Sequence, residues 1–419
     1  MSIDDNSSMN FGLFNITRYK KIFIKYMFGC TGTEFILSYL NLFKQIVYTP
    51  LAVTFWCSRI RIPKFFVLRI GHLMVEPDSY LKEHLMGNKS MLCTVMLAPH
   101  GLSANSAAIR YWSRYFAVIE NPFLAKVLKP LSVHPFTGYS TYRYATAMYQ
   151  SADTFQIQKK WSNRPPLLIQ ETIDSERGKL ILKQMGIQEN AWYVCIHNRE
   201  KGYSPIDDHS HSYRNVSIDN FQLAVEYIVS QGGVCIRMGD PTMQPAPFIP
   251  GLIDYAKSPY RSDWMDLYLA STCTFFLGSN SGAFEMATTF GRPVAAVNMA
   301  PLTTSPRGQN DLSIPMLYRE IATSKILTFK EILDSPLASL RLTEEYITAG
   351  IKLIHNTPEE IRDLAMEQLH RVQGTLFSDS AGEALQIKFE SMLKPGHYCY
   401  GRASRMGSFF LKKHEYLLN

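Results

Sequence analysis

Thr274-Phe275-Phe276-Leu277-Gly278-Ser279-Asn280-Ser281-Gly282 is the stretch that decides the fold. An aromatic and aliphatic run stops at a glycine, crosses three small polar residues and reaches a second glycine, where a helical stretch, Ser281 to Phe290, begins. A run this short reads as a strand buried on both faces, and burial on both faces belongs to parallel sheets. The pattern repeats outward from it. Strands are expected at Trp192 to His197, Gly233 to Met238 and Pro293 to Asn298, separated by helices at Ile218 to Gln231 and Asp263 to Ser271. Upstream, Phe65 to Ile70 and Met91 to Leu97 read as strands, with helices from Leu73 to about Leu85 and from Ser103 to Tyr115. Arg164-Pro165-Pro166 breaks the pattern, because a residue before proline is driven out of helical backbone. The fold class is therefore α/β, with two Rossmann-like units at 61–185 and 186–375 facing a cleft. A basic and apolar helical segment, 1–60, precedes them, and a helical tail, 376–419, is expected to pack back on the first unit.

Composition sets the outer limits. In 419 residues, 46% are apolar and 19% charged, which supports sizeable cores and excludes a disordered chain. Lys plus Arg number 43 against 36 for Asp plus Glu, an excess that suits phosphates or an anionic surface and falls short of a nucleic-acid-coating protein. The seven cysteines include no C-x-x-C pair, which argues against a disulfide scaffold or zinc ribbon and for the reducing cytoplasm. Arg18, Lys20, Lys21 and Lys25 interleave with Tyr19, Phe23, Tyr26 and Phe28, the mixture of a basic amphipathic helix. The apolar stretch from Phe35 to Trp56 is interrupted by Lys44, Gln45 and Pro50, so it falls short of the roughly 20 residues of a spanning helix. Peripheral attachment at the inner face of the cytoplasmic membrane and packing on a neighbouring domain both fit this segment.

Chemistry gathers at the carboxyl ends of the strands, where ligands of parallel sheets bind. Gly278, Ser279, Asn280, Ser281 and Gly282 open a helix whose N–H groups and partial positive charge suit a phosphate; the same turn also serves as a plain cap. After the strand ending at Ile196 come His197, Arg199 and Lys201, partners for a pyrophosphate. Arg237 and Asp240 close the next strand, and Asp263 and Asp266 begin a helix, where they favour its dipole or hold a ribose hydroxyl. In the first unit, His72, Glu76 and Asp78 follow the strand expected at Phe65 to Ile70 and are the candidates for a general base. No P-loop, nucleophile elbow, H-E-x-x-H or D-x-D pattern occurs, so neither a metal nor a cofactor is expected.

In order along the chain, the motifs are R-I-G-H-L (Arg69 to Leu73), H-N-R-E-K-G-Y (His197 to Tyr203), Y-R-N (Tyr213 to Asn215), I-R-M-G-D-P (Ile236 to Pro241), I-D-Y-A (Ile253 to Ala256), S-D-W-M-D (Ser262 to Asp266) and F-L-G-S-N-S-G (Phe276 to Gly282). Together with F-L-K-K-H-E-Y-L-L at Phe410 to Leu418 they resemble a bacterial family of glycosyltransferases found among genes for capsule, O-antigen and related surface glycans. That resemblance implies a GT-B architecture, a nucleotide-sugar donor held mainly by the second unit, and a glycan or lipid-linked glycan acceptor. The H-x-R element is similar to one in fucosyltransferase-like enzymes, which favours a GDP-sugar and leaves UDP-, dTDP- and CMP-sugars open. A sugar-nucleotide epimerase of the same architecture and a non-catalytic glycan- or membrane-binding scaffold are the competing classes.

Overall fold

A computed structural model describes residues 32–87, 93–145, 153–202, 205–375 and 380–419. The basic stretch Arg18 to Phe28 lies outside the described residues. Two α/β units appear, each built on a parallel sheet. The first sheet contains β1 (Ile60–Pro63), β2 (Cys93–Leu97), β3 (Ala117–Ile119) and β4 (Gly138–Tyr139), in the order β3-β2-β1-β4. The second contains β5 (Tyr193–His197), β6 (Val234–Arg237), β7 (Leu252–Ile253), β8 (Phe276–Ser279), β9 (Val294–Met299), β10 (Leu312–Pro315) and β13 (Arg405–Met406). Its order is β13-β10-β9-β8-β5-β6-β7, parallel throughout. A separate antiparallel ribbon joins β11 (Leu317–Glu320) to β12 (Ile351–Ile354). Every residue of β8 and β9 is buried, as the unbroken apolar runs require.

Two expectations are corrected. The strand expected at Phe65 to Ile70 is a loop, and the sheet strand is β1, five residues earlier at its start. Phe65 and Val67 are buried while Phe66 and Leu68 are exposed, the alternation of a strand, yet the backbone finds other partners. The Phe66 N–H donates to Glu76 Oε2 at 3.0 Å, and the Val67 carbonyl accepts from the Ala104 N–H. Arg69 is thus the N-cap of a helix, Ile70–Met86, that carries all three candidate bases.

The two units also touch across the cleft. Leu73, Met74 and Trp112 of the first unit share one continuous buried core with Met265, Met286 and Phe290 of the second. Tyr111 meets Phe290 edge to face with ring centroids 5.3 Å apart, and Asn105 Nδ2 donates to the Asp263 carbonyl at 2.8 Å. The helices flanking the first sheet bury their apolar faces against the second unit. The second correction concerns the tail. It supplies β13 to the second sheet, and Phe389, Phe410, Leu411 and Leu417 complete that unit's outer core. It also reaches back to the helix Asp153–Trp161, where Tyr398 meets Phe155 and Tyr400 and Gly401 lie against Gln156.

Candidate functional site

In an open parallel sheet the crevice forms where successive crossovers leave in opposite directions. In the second sheet this point lies between β5 and β8, since the chain runs from β5 outward to β6 and β7 and returns to β8 on the other side. His197 faces Gly278 across that pair, and just beyond it the Arg199 N–H donates to Ser279 Oγ at 2.8 Å. Ser281 then caps the next turn by accepting from the Ala283 N–H at 3.3 Å, and the short helix Glu285–Thr289 follows. In the first sheet the corresponding point lies between β1 and β4. Glu76 plugs it. Its Oε2 accepts from the Phe66 N–H and, at 2.5 Å, from Thr141 Oγ1, whose residue follows β4; its Oε1 meets His72 Nδ1 at 2.8 Å.

The two crevices converge on a pair of glycines. A Cβ on Gly71 would stand 2.9 Å from Gly282 Cα, and one on Gly282 would stand 2.9 Å from Gly71 Cα. Only bare backbone allows the turn after β8 to touch the helix Ile70–Met86 so closely. That helix starts at the contact with no side-chain cap bond and no acid in its first turn, so its partial positive charge is directed at the same spot. Gly282 is exposed there, and His72 retains 21% of its side-chain surface against 3% for Glu76. With Nδ1–H committed to the carboxylate, the network assigns the lone pair to Nε2 of His72. Replacing Gly71 with Ala is expected to cost about 1–3 kcal/mol in urea unfolding, because the clash is with backbone that cannot rotate away. It should also weaken anion binding at Gly282, which separates it from an ordinary core lesion.

Not every candidate from the sequence reaches this spot. Arg237 is wholly buried, and its N–H groups are spent on Asn198 Oδ1, the Gln244 carbonyl, Asp254 and Glu200, which ties the ends of β5 and β6 together from behind. The Arg199 guanidinium turns to Asn215 Oδ1 and the His211 carbonyl, so its backbone N–H is what meets the turn. Asp263 accepts from the N–H and hydroxyl of Ser106, joining the units as a cap for the helix Ser106–Trp112. Asp266 is held by Tyr255 and Arg261, and burial pushes its carboxyl up to about 6. Asp240 accepts from the Thr242 N–H, Asn280 donates to the Ala300 carbonyl, and Lys201 is exposed. Burial lowers His197 to about 4, and its Nδ1 lies 3.2 Å from the Met238 carbonyl. A neutral ring in this arrangement offers Nε2 as an acceptor, not as the cationic partner for a pyrophosphate that the sequence suggests.

Asp78 lies in a buried charge cluster. Arg307 donates to Asp78 Oδ2 at 2.5 Å and to Glu285 Oε2 at 2.8 Å, and Lys82 reaches the same Asp78 oxygen at 2.8 Å. Asp78 is completely buried and so touches no acceptor. Thr141, Phe66, Arg307 and Glu285 are the participants that sequence reading missed. Thr141 and Arg307 stand far in the chain from Glu76 and Asp78, which they bind, and Phe66 contributes a backbone N–H that no side-chain pattern marks.

No protein-family profile matches the chain, and no curated protein does either. Among solved structures it is similar to the glycosyl transferase family 9 protein of Veillonella parvula, at 12% identity over 52% of this chain and a TM-score of 0.28; the match spans 60% of that protein, under two thirds of its length. The E. coli heptosyltransferase WaaC with ADP is similar at 11% identity over 61% of this chain and 90% of its own, with a TM-score of 0.35. The UDP-GlcNAc 2-epimerase of Neisseria meningitidis, bound to UDP-GlcNAc, is similar at 15% identity over 71% and 80%, with a TM-score of 0.23. At such scores none of these likenesses bears on chemistry, and the site is read from its geometry.

Proposed function

We propose that the chain is a glycosyltransferase that moves a sugar from a nucleotide-sugar donor to a hydroxyl of a surface-glycan acceptor. The supporting observation is the Gly71–Gly282 contact, which sets a phosphate-accepting turn and a carboxylate-backed histidine on either side of one exposed spot. In this reading the donor diphosphate lies against Ser281 and Gly282, where the positive ends of two helical segments offset its charge, while the buried Ser279 holds the turn to the Arg199 N–H. The acceptor oxygen attacks the anomeric carbon as its proton passes to His72 Nε2. The bond from that carbon to the phosphate oxygen breaks, and the nucleoside diphosphate leaves with the electron pair. Glu76 holds the ring in the productive tautomer and balances the imidazolium that forms. The preference for a GDP-sugar rests on the H-x-R resemblance alone.

The test is a thermal-shift panel of GDP-, UDP-, dTDP-, CMP- and ADP-sugars, followed by a nucleotide-release assay with glycan acceptors. A true donor at 100 times its Kd stabilises the fold by about 2.7 kcal/mol. Release of nucleotide only when acceptor is present supports transfer, whereas conversion of donor without acceptor identifies an epimerase. A panel in which no nucleotide sugar stabilises the protein refutes both.

A further inference from the structure

The helix Gly32–Cys57 and the segment 122–136 form one exposed apolar face on the first unit. They are joined by the packing of Ala52 on Leu131, by the Trp56 and Phe136 rings at 6.0 Å and by Thr49 Oγ1 at 3.4 Å from His134 Nε2. Inward, Tyr48, Ala52 and Phe55 pack beside β1 and β2. Outward, Phe43 is 65% exposed, Ile46 62%, Trp56 56% and Phe123, on the short helix Pro122–Leu128, 71%. Single exposed apolar residues are ordinary, but large ones clustered on two joined segments mark an interaction surface.

Charge identifies what covers it. The helix and the turn after it carry Lys44 and Arg59, both exposed, against one acid, Glu34, in the helix's first turn; residues 121–136 contain the exposed Lys126 and Lys129 and no acid. Glu120, the adjoining acid, lies beside His100 at 3.5 Å. A second copy of this chain would set the same four cations against each other across an isologous interface. The preceding basic stretch, Arg18 to Lys25, carries the same sign and offers the face no complementary charge. No described helix is long and apolar enough to cross a membrane. Exposed aromatic and aliphatic side chains interspersed with exposed cations on the same two segments are the chemistry of attachment to one leaflet, with the rings below the headgroups and the cations among anionic ones.

We propose that this face, helix Gly32–Cys57 together with residues 122–136, docks the protein on an anionic lipid surface. It extends the sequence-based expectation for residues 1–60 to a second segment that no sequence signal pointed to. The docking is independent of the transferase reading, and its test involves no sugar chemistry.

The test is flotation of the full-length protein with vesicles of phosphatidylethanolamine and phosphatidylglycerol, against vesicles of phosphatidylcholine alone. Three proteins are compared: the wild type, a Lys44→Glu, Lys126→Glu, Lys129→Glu variant and a Phe43→Ser, Phe123→Ser variant. All keep residues 18–25 intact, and every altered side chain is exposed, so folding is retained and is checked by circular dichroism. The wild type should float with the anionic vesicles only and be released by salt, as screening requires. Each variant should bind at least about tenfold more weakly, since several cations at about 1 kcal/mol each are reversed in one and apolar burial is lost in the other. Flotation equal in all three proteins, or absent in the wild type, overturns the proposal. So does a wild-type dimer in analytical ultracentrifugation that Phe43→Ser, Phe123→Ser abolishes, because a second copy would then cover the face. Nucleotide-sugar binding by all three proteins keeps the fate of this proposal separate from that of the transferase reading.

Discussion

His72→Ala is expected to lower turnover by roughly 10²–10⁴-fold while donor affinity changes by no more than about twofold, the signature of a lost general base. The expectation rests on how the ring is held. Glu76 is fixed by the Phe66 N–H at 3.0 Å and by Thr141 Oγ1 at 2.5 Å, so the carboxylate that orients His72 is itself anchored to the ends of both β1 and β4. Glu76→Gln sharpens the test. A glutamine keeps an oxygen for Phe66 and Thr141 but turns its NH₂ toward His72, which then accepts at Nδ1 and carries its proton on Nε2. The base is lost although the shape is kept, so turnover should fall by about 10² or more with folding nearly intact. If the pair only secures the loop before the helix Ile70–Met86, His72→Ala leaves turnover near normal and the reaction needs another base.

Arg307→Ala should cost about 3–5 kcal/mol of stability, because it leaves carboxylates buried with their counter-charge removed. Arg307 is 2% exposed and binds Asp78 of the first unit and Glu285 of the second, with Nη2 also donating to Thr289 Oγ1 at 2.9 Å. Burial opposes ionisation of Asp78, but Lys82 and Arg307 overcome it and hold its carboxyl below the usual range. At Glu285 burial prevails and the carboxyl is raised despite Arg307. Without the guanidinium Glu285 rises further and binds a proton in the folded state that the unfolded chain lacks. Folded-state proton uptake makes stability fall as pH rises, so the deficit of Arg307→Ala relative to the wild type should be larger at pH 8 than near pH 5. Urea unfolding at the two pH values reads this directly. Adding Glu285→Leu to Arg307→Met should recover most of the loss, since an apolar pair often replaces a buried ion pair at little cost. A deficit under about 1 kcal/mol at both pH values would show that the cluster contributes no more than a surface ion pair.

Much of the second unit was legible because its strands are nearly uninterrupted apolar runs and its helices fall between them at regular spacing. The turn Gly278 to Gly282 stood out for the same reason, as small residues in an otherwise apolar stretch. The first unit was less legible. Arg61 interrupts the four-residue β1, whereas Phe65 to Leu68 imitates a strand and is fixed instead by the Glu76 carboxylate ten residues on and the Ala104 N–H beyond β2. Among the site residues, His72 and Glu76 were visible as neighbours in the chain, but their order of importance depends on burial that spacing does not encode. Arg237, Asp263 and Asp266 looked like ligand-binding groups, and Asp78 like a general base, because charged residues beyond strand ends often are. The partners that occupy them, Glu200, Arg307, Ser106 and Tyr255, are set by tertiary contacts.

The place of β13 has a consequence for how the protein is made. Translation delivers residues 405–418 long after β5 to β10, yet β13 covers the outer edge of β10, and Phe410, Leu411 and Leu417 seal the core around Ile314 and Leu364. Until they emerge, the nascent chain carries an open strand edge and an uncovered apolar layer, the features on which aggregation and chaperone capture act. The first unit cannot settle early in its place, since Leu73, Met74 and Trp112 await Met286 and Phe290. Both halves therefore wait on residues 405–418, and damage there would appear in the cell as scarcity of the protein before any change in what each surviving molecule does.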